Sequence, residues 1–217
     1  MNIFINSYLP IQHTKFGRQA LNKYKGLHPL EDGSIRREPD FKNERPGISG
    51  LCRPGAMKSI NLSPGDIIVY KTTRSHLLAA ILEISVELSS HNEAQAWYKQ
   101  NKLPVPSNCI LAKNIGVEQS HANGFLNYIK NYPNNIKSIE NMWDLSYQKR
   151  AKSFPYFFIT KPIYNAVLNN IIEANYINIE DILRTYFNGS LPPTQKIPAK
   201  LSLECYNEIL LMINNHK

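Results

Sequence analysis

Hydrophobic and polar residues along the 217-residue chain fall into three zones, and the middle one carries the clearest pattern. Ile67-Ile68-Val69-Tyr70 is a β-branched and aromatic run directly behind Ser63-Pro64-Gly65-Asp66. Pro64 presets φ and Gly65 can take a positive φ, so a turn feeding a strand is predicted. A second strand, His76 to Ser89, follows after a connection short enough for a hairpin. Asn92 and Gln95 have capping-box spacing ahead of Ala94, Ala96, Trp97 and Tyr98, which predicts a short helix closed off by Pro104 and Pro106. Asn108 to Ala112 and Phe154 to Thr160 read as strands, and Gly124 to Tyr132 as a brief helix. Asn2 to Tyr8 and a short run at Ile48 to Cys52 bring the inventory to about six strands, that of a small curved or closed sheet.

From Pro162 the period becomes helical. Ile163, Val167, Ile171 and Ala174 keep one face apolar, Asn178 with Asp181 supplies an N-cap, Gly189 a stop, and Ser202 to Ile213 a terminal amphipathic helix. About 55 residues bury too little surface to stand alone, so these helices are expected to pack on the sheet. The expected fold class is therefore α+β: a sheet domain over residues 1–161 and a C-terminal helical extension over residues 162–217. The first zone, residues 11–58, is loop-like, because Gly17, Gly26, Gly33, Gly47, Gly50 and Gly55 alternate with Pro29, Pro39, Pro46 and Pro54. Loops of that length usually bind something.

Charge sharpens this picture. The chain holds 25 Lys and Arg against 17 Asp and Glu, a formal net charge of +8, which favours polyanions. Residues 11–58 carry much of it, with ten basic residues against five acidic ones. The longest apolar segment, Leu77 to Val86, is interrupted by Glu83 and Ser85 and falls short of a membrane span. The first ten residues lack the basic flank and cleavage site of a secretory signal, so the cytoplasm is the expected compartment. Cys52, Cys109 and Cys205 are scattered, and His13, His28, His76, His91, His121 and His216 include no pair with helical metal-ligand spacing. Neither a metal nor another cofactor is expected.

Catalytic motifs are sparse. Pro39-Asp40 ahead of Lys42 hints at a metal-dependent nuclease, but the strand at His76 to Ser89 offers Glu83 with Ser85 where such an enzyme needs an acid followed by lysine. Glu38 and Asp40 then read as loop charges. Cys52 has no neighbouring histidine, and Gly47-Ile48-Ser49-Gly50 lacks the third glycine of a phosphate loop. No catalytic residue is assigned. What remains suits a binder: Arg36, Arg37, Arg45, Arg53 and Lys58 on loops, and Arg150 in the basic run Tyr147 to Lys152, can reach phosphates. Trp143, Phe41 and Tyr147 are the foremost base-stacking candidates, with Trp97 and Phe154 offering further π-faces, although most aromatics in any chain are core residues.

The order ISGLCRP, GAMKSINLS, PGDIIVYKTT and LLAAILEISVE over Ile48 to Glu87 resembles the PUA-like superfamily with its ASCH, EVE and YTH relatives. The Cys-Arg-Pro element before the Gly-Asp turn is most similar to the nucleotide modification associated domain family, second type. The resemblance implies a small PUA-like β-barrel and a role in making or recognising modified nucleotides, in phage or bacterial defence settings. On that pattern Gly65 and Asp66 are structural and Arg53 is a candidate contact. The expected function is a non-enzymatic reader that binds DNA, RNA or a nucleotide, around a modified base. The alternative is an enzyme acting on nucleotides or nucleic acid, by base modification or metal-dependent cleavage. A third possibility is a protein partner held by the apolar faces of the C-terminal helices.

Overall fold

The structure, a computed structural model, describes residues 1–13, 15–23, 25–33, 38–51, 54–112, 147–192 and 197–216. In chain order these form β1 (Ile3–Tyr8), α1 (Lys15–Lys23), β2 (Gly47–Ile48), α2 (Pro54–Ile60), β3 (Ile67–Thr72), β4 (Leu78–Leu88), α3 (His91–Gln100), a helical stretch at 147–153, β5 (Phe157–Asn165), α4 (Glu180–Tyr186), β6 (Ala199–Lys200) and α5 (Leu203–Asn215). The fold is α+β, as expected. Its six strands make one mixed sheet in the order β2-β5-β4-β3-β1-β6. β1 runs parallel to β3, with Ile3 beside Ile67 and Tyr8 beside Thr72, and the other pairings are antiparallel. β2 and β6 are two-residue edges that do not pair with each other, so among the described residues the sheet is open and not a closed barrel.

The parallel pairing explains the long Gly/Pro-rich zone. Parallel neighbours need a crossover that traverses a face of the sheet, and residues 9–66 supply it. Leu30, Phe41, Ile48, Met57 and Leu62 from this crossover pack on Phe4, Ile68, Tyr70, Leu82 and Phe158. Zone one therefore contains two helices and covers a core. The opposite face receives Ile177, Leu183, Cys205, Tyr206 and Ile209 against Ile5, Val69 and Ile81. The apolar faces of α4 and α5 are thus turned onto the sheet, while Leu203 and Leu211 point outward.

The predicted turn and hairpin form: Ile67 pairs with Glu83 and Val69 with Ile81. Gly65 has φ +89°, the conformation that the turn requires. α3 starts earlier than expected, because Ser90 caps Glu93 N and Glu93 returns its carboxylate to Ser89. Asn108 to Ala112 is a set of turns, not a strand, and β2 ends at Ile48. The stretch from Ile163 is not helical: β5 continues through Pro162 to Asn165, crossing the expected 161/162 boundary, and Pro162 sits beside a register shift at Ile81/Leu82, where proline is tolerated in a sheet. α5 and its Ser202 cap form as predicted. The expected helix at Gly124 to Tyr132 lies outside the described residues.

Asp66 ties the first strand to the turn. Its Oδ1 accepts from Asn2 N at 2.6 Å and Asn2 Nδ2 at 3.2 Å, and Oδ2 from Ser63 N at 3.1 Å and Ser63 Oγ at 3.2 Å. Burial pushes this carboxyl up, but the hydrogen bonds from Asn2 and Ser63 outweigh it and hold the group below its ordinary value. The folded chain therefore binds the proton less tightly than the unfolded one. The resulting stability is full above about pH 4 and is lost as acid titrates Asp66. Asp66→Asn should cost ~1–3 kcal/mol at pH 7 and flatten the acid limb of the stability curve, measured by denaturant unfolding at several pH values.

Candidate nucleic-acid interface

A cleft of about 170 Å³ opens between α2 and the start of β5. Met57, Lys58, Asn61 and Leu62 form one wall; Glu87, Phe154, Tyr156 and Phe158 form the other. Three features of the fold place them. Glu87 lies opposite Phe158 in the β4–β5 ladder, so both project to the face covered by α2. Phe154 contacts Tyr156 edge-on, with centroids 5.5 Å apart, and lies 6.4 Å from Phe158. Gly50, at φ +67°, lets the Phe154 ring approach its bare Cα: a Cβ there would lie 2.7 Å from Phe154 Cδ1. Tyr156 is 43% exposed, so the cleft has a solvent-facing aromatic rim above a buried aromatic floor.

The cleft joins only part of the expected site. Lys58 lines it, and Phe154 borders it as a buried ring. Arg36, Arg37, Arg53 and Trp143 lie outside the described residues. Arg45 is committed to the fold: its Nε donates to Thr160 O at 2.8 Å, an Nη to Ser85 Oγ at 2.7 Å, and its guanidinium lies 5.7 Å from the Trp97 ring centre. Arg150 donates to Leu51 O at 3.1 Å and covers the Tyr147 ring at 5.1 Å. Phe41 and Tyr147 are corrections. Each is at most 3% exposed, and Phe41 is wedged between Tyr8 and Tyr70 in the core, so neither ring offers a free face to a base. A polar sequence neighbourhood misled here, because the crossover packs inward on the sheet. The acids of the nuclease reading hold loops together: Glu38 accepts from Ser49 N and Oγ, and Asp40 from Ser107 N.

Glu87, Asn61 and Tyr156 are members of the cleft that sequence reasoning missed. Glu87 falls at the end of a strand whose alternation marks it as outward, and only the β5 pairing reveals what it faces. A second polar group also escaped notice, at the opposite end of the β3–β4 hairpin. Lys71 is fully buried, and its Nζ donates to His76 Nδ1 at 3.0 Å. Burial lowers the amine to about 8, against the opposing pull of Glu180. His76 is lowered by burial and by Lys71, and Glu180 opposes this. Beside them Thr72 Oγ1, Ser75 Oγ and His13 Nε2 are linked at 3.1 and 3.2 Å. Burial, then Arg74 and Arg18, lower His13. A lysine inside the run Ile67 to Thr72 was the available signal. With Lys71 sealed from solvent, this pair is a polar bracket at the hairpin end.

Among the described residues no cluster of three or more His, Cys, Asp or Glu could hold a metal, and no helix is long and apolar enough to cross a membrane. Compared with known proteins, the chain matches no family model, no curated protein and no solved structure.

Lys71 supplies a test of the hairpin end. Between about pH 8 and its ordinary value near 10, the unfolded chain keeps a proton that the folded chain has released, so stability rises with pH across that window. The wild type should gain ~1–3 kcal/mol relative to Lys71→Met over the same interval. Parallel unfolding curves of the two proteins would show whether the amine is buried as described.

Proposed function

We propose that the chain is a nucleic-acid- or modified-nucleotide-binding module in which the α2–β5 cleft receives a base. The observation that carries this reading is the pairing of an exposed cation, Lys58, with an accessible aromatic rim, Tyr156 above Phe154, around one space. Single-stranded nucleic acid is bound by that combination: a positive charge for the phosphate and a π-face for the base. The net charge of +8 adds a long-range attraction for polyanions.

We also propose a PUA-like affiliation, with a curved sheet in place of a closed barrel and a role linked to nucleotide modification. Two features support it. The run that carries the resemblance leads through α2 to Asn61 and Leu62 at the cleft wall and then into the Gly65-Asp66 turn. Register shifts at Tyr70/Lys71, Ile81/Leu82 and Ile84/Val86 add bulges, which bend a sheet. The binding reading is preferred to the enzymatic one because Glu38 and Asp40 are engaged by Ser49 and Ser107.

Fluorescence anisotropy with a mixed-sequence single-stranded oligonucleotide, run across a salt series, tests the reading. Tyr156→Ala should weaken binding by ~1–3 kcal/mol with little change in melting temperature, since the ring lies at the surface. Lys58→Ala should reduce the salt slope by about one phosphate's worth. Wild-type protein that shows no binding at low salt would remove this function.

A further inference from the structure

The polar lining of the cleft has a direction. Lys58, Asn61, Glu87 and Tyr156 all reach its walls, and none of their side chains makes a hydrogen bond or ion pair within the described residues. Lys58 and Glu87 are of opposite charge and border the same 170 Å³, yet they are not joined as an ion pair, unlike Lys42 with Glu31 or Arg184 with Glu180. An unpaired cation and an unpaired carboxylate on facing walls suit a ligand that is anionic at one end and rich in N–H donors at the other. Neither a plain phosphate nor a plain apolar ring fits that description.

The placement of the two charges says which end is which. Glu87 stands across the ladder from Phe158, so its carboxylate borders the aromatic floor where a ring plane would lie. Lys58 stands on α2, at the solvent side of the opposite wall. A base stacked on the exposed Tyr156 ring, with the Phe154 edge beneath it, would therefore turn its polar edge to Glu87 and its sugar-phosphate to Lys58. A carboxylate only accepts hydrogen bonds. It pairs with an exocyclic amino group such as cytosine N4, and it repels the carbonyl oxygen that replaces that group in uracil. Asn61 carries both a donor and an acceptor and can meet either base.

We infer that this cleft selects nucleobases bearing an exocyclic amino group, cytosine over uracil in the simplest comparison, with Glu87 as the residue that discriminates. The inference rests on the binding function proposed above and assigns that site a substrate class.

The experiment compares oligodeoxycytidylate with oligodeoxyuridylate of equal length, under one salt condition, by fluorescence anisotropy. These ligands share the backbone and differ at the base edge. Wild-type protein should bind the cytosine strand roughly tenfold more tightly. Glu87→Gln, which keeps the size of the side chain and offers an amide donor to the uracil carbonyl, should bring the two affinities to within about twofold. Lys58→Ala should weaken both strands alike and leave their ratio unchanged. Melting temperatures of the variants verify folding, which the exposed position of Glu87 favours. Tight binding of both strands with equal affinity would overturn the base selection and leave the binding function standing. So would a cytosine preference that survives Glu87→Gln. Failure to bind either strand would remove the binding function, and the selection with it.

Discussion

Everything in this fold is arranged around the complete burial of β3. All six of its residues are buried, both of its edges are paired, and its side chains alternate between two separate cores. A strand in that position cannot have a wet face. One layer must come from the crossover that returns the chain from β1, and the other from the C-terminal helices. The same constraint accounts for Lys71, which sits where β3 turns toward the helical layer and is enclosed with the rest of the strand. Its amine is tolerated because His76, on the connecting turn, accepts its proton in a hydrogen bond.

The cleft is where this layered packing stops. α2 covers the sheet beside β3 and β4, but the last residues of β4 and the first of β5 extend beyond it. Phe154 and Phe158 belong to the core at their base and to the cleft at their edges. A site built this way borrows rigidity from the core: Gly50 lies close against the Phe154 ring, which belongs to the same buried cluster as Met57 and Phe158. Glu87 and Lys58 bring the chemistry on elements whose positions the sheet dictates. Preorganisation of that kind lowers the cost of ordering side chains on binding.

Local signals in the sequence carried the parts of the fold that local chemistry decides. Ser63-Pro64-Gly65-Asp66 and the β-branched run behind it were legible because turn residues and a buried strand leave marks within ten residues of each other. α5 was legible from its Ser202 cap and its apolar stripe. What was not legible depended on distant pairing. Ile163 and Val167 matched a helical period, yet β4 recruits Ile163 into β5, where it is exposed, while Val167 is buried beyond the strand end. Phe41 read as an exposed platform because its neighbours are charged; burial came from Tyr8 and Tyr70, far away in sequence. Of the site, Lys58 was visible as a loop cation. Glu87 could not be recognised without knowing that it faces Phe158.

The parallel partnership of β1 and β3 also sets an order on assembly. During synthesis Ile3–Tyr8 emerges before the strand it pairs with, and the Asp66 carboxylate that fastens its beginning lies 64 residues further on. Among the described residues its other edge is met by Ala199 and Lys200, far later in the chain. Until β3 arrives, this strand is an apolar segment with unpaired backbone on both sides, the kind of species that nascent-chain chaperones shield. Contacts this non-local make folding slow relative to a helical protein of equal stability. The β3–β4 hairpin is thus the local part of the sheet, whereas β1 depends on partners that follow it much later in the chain.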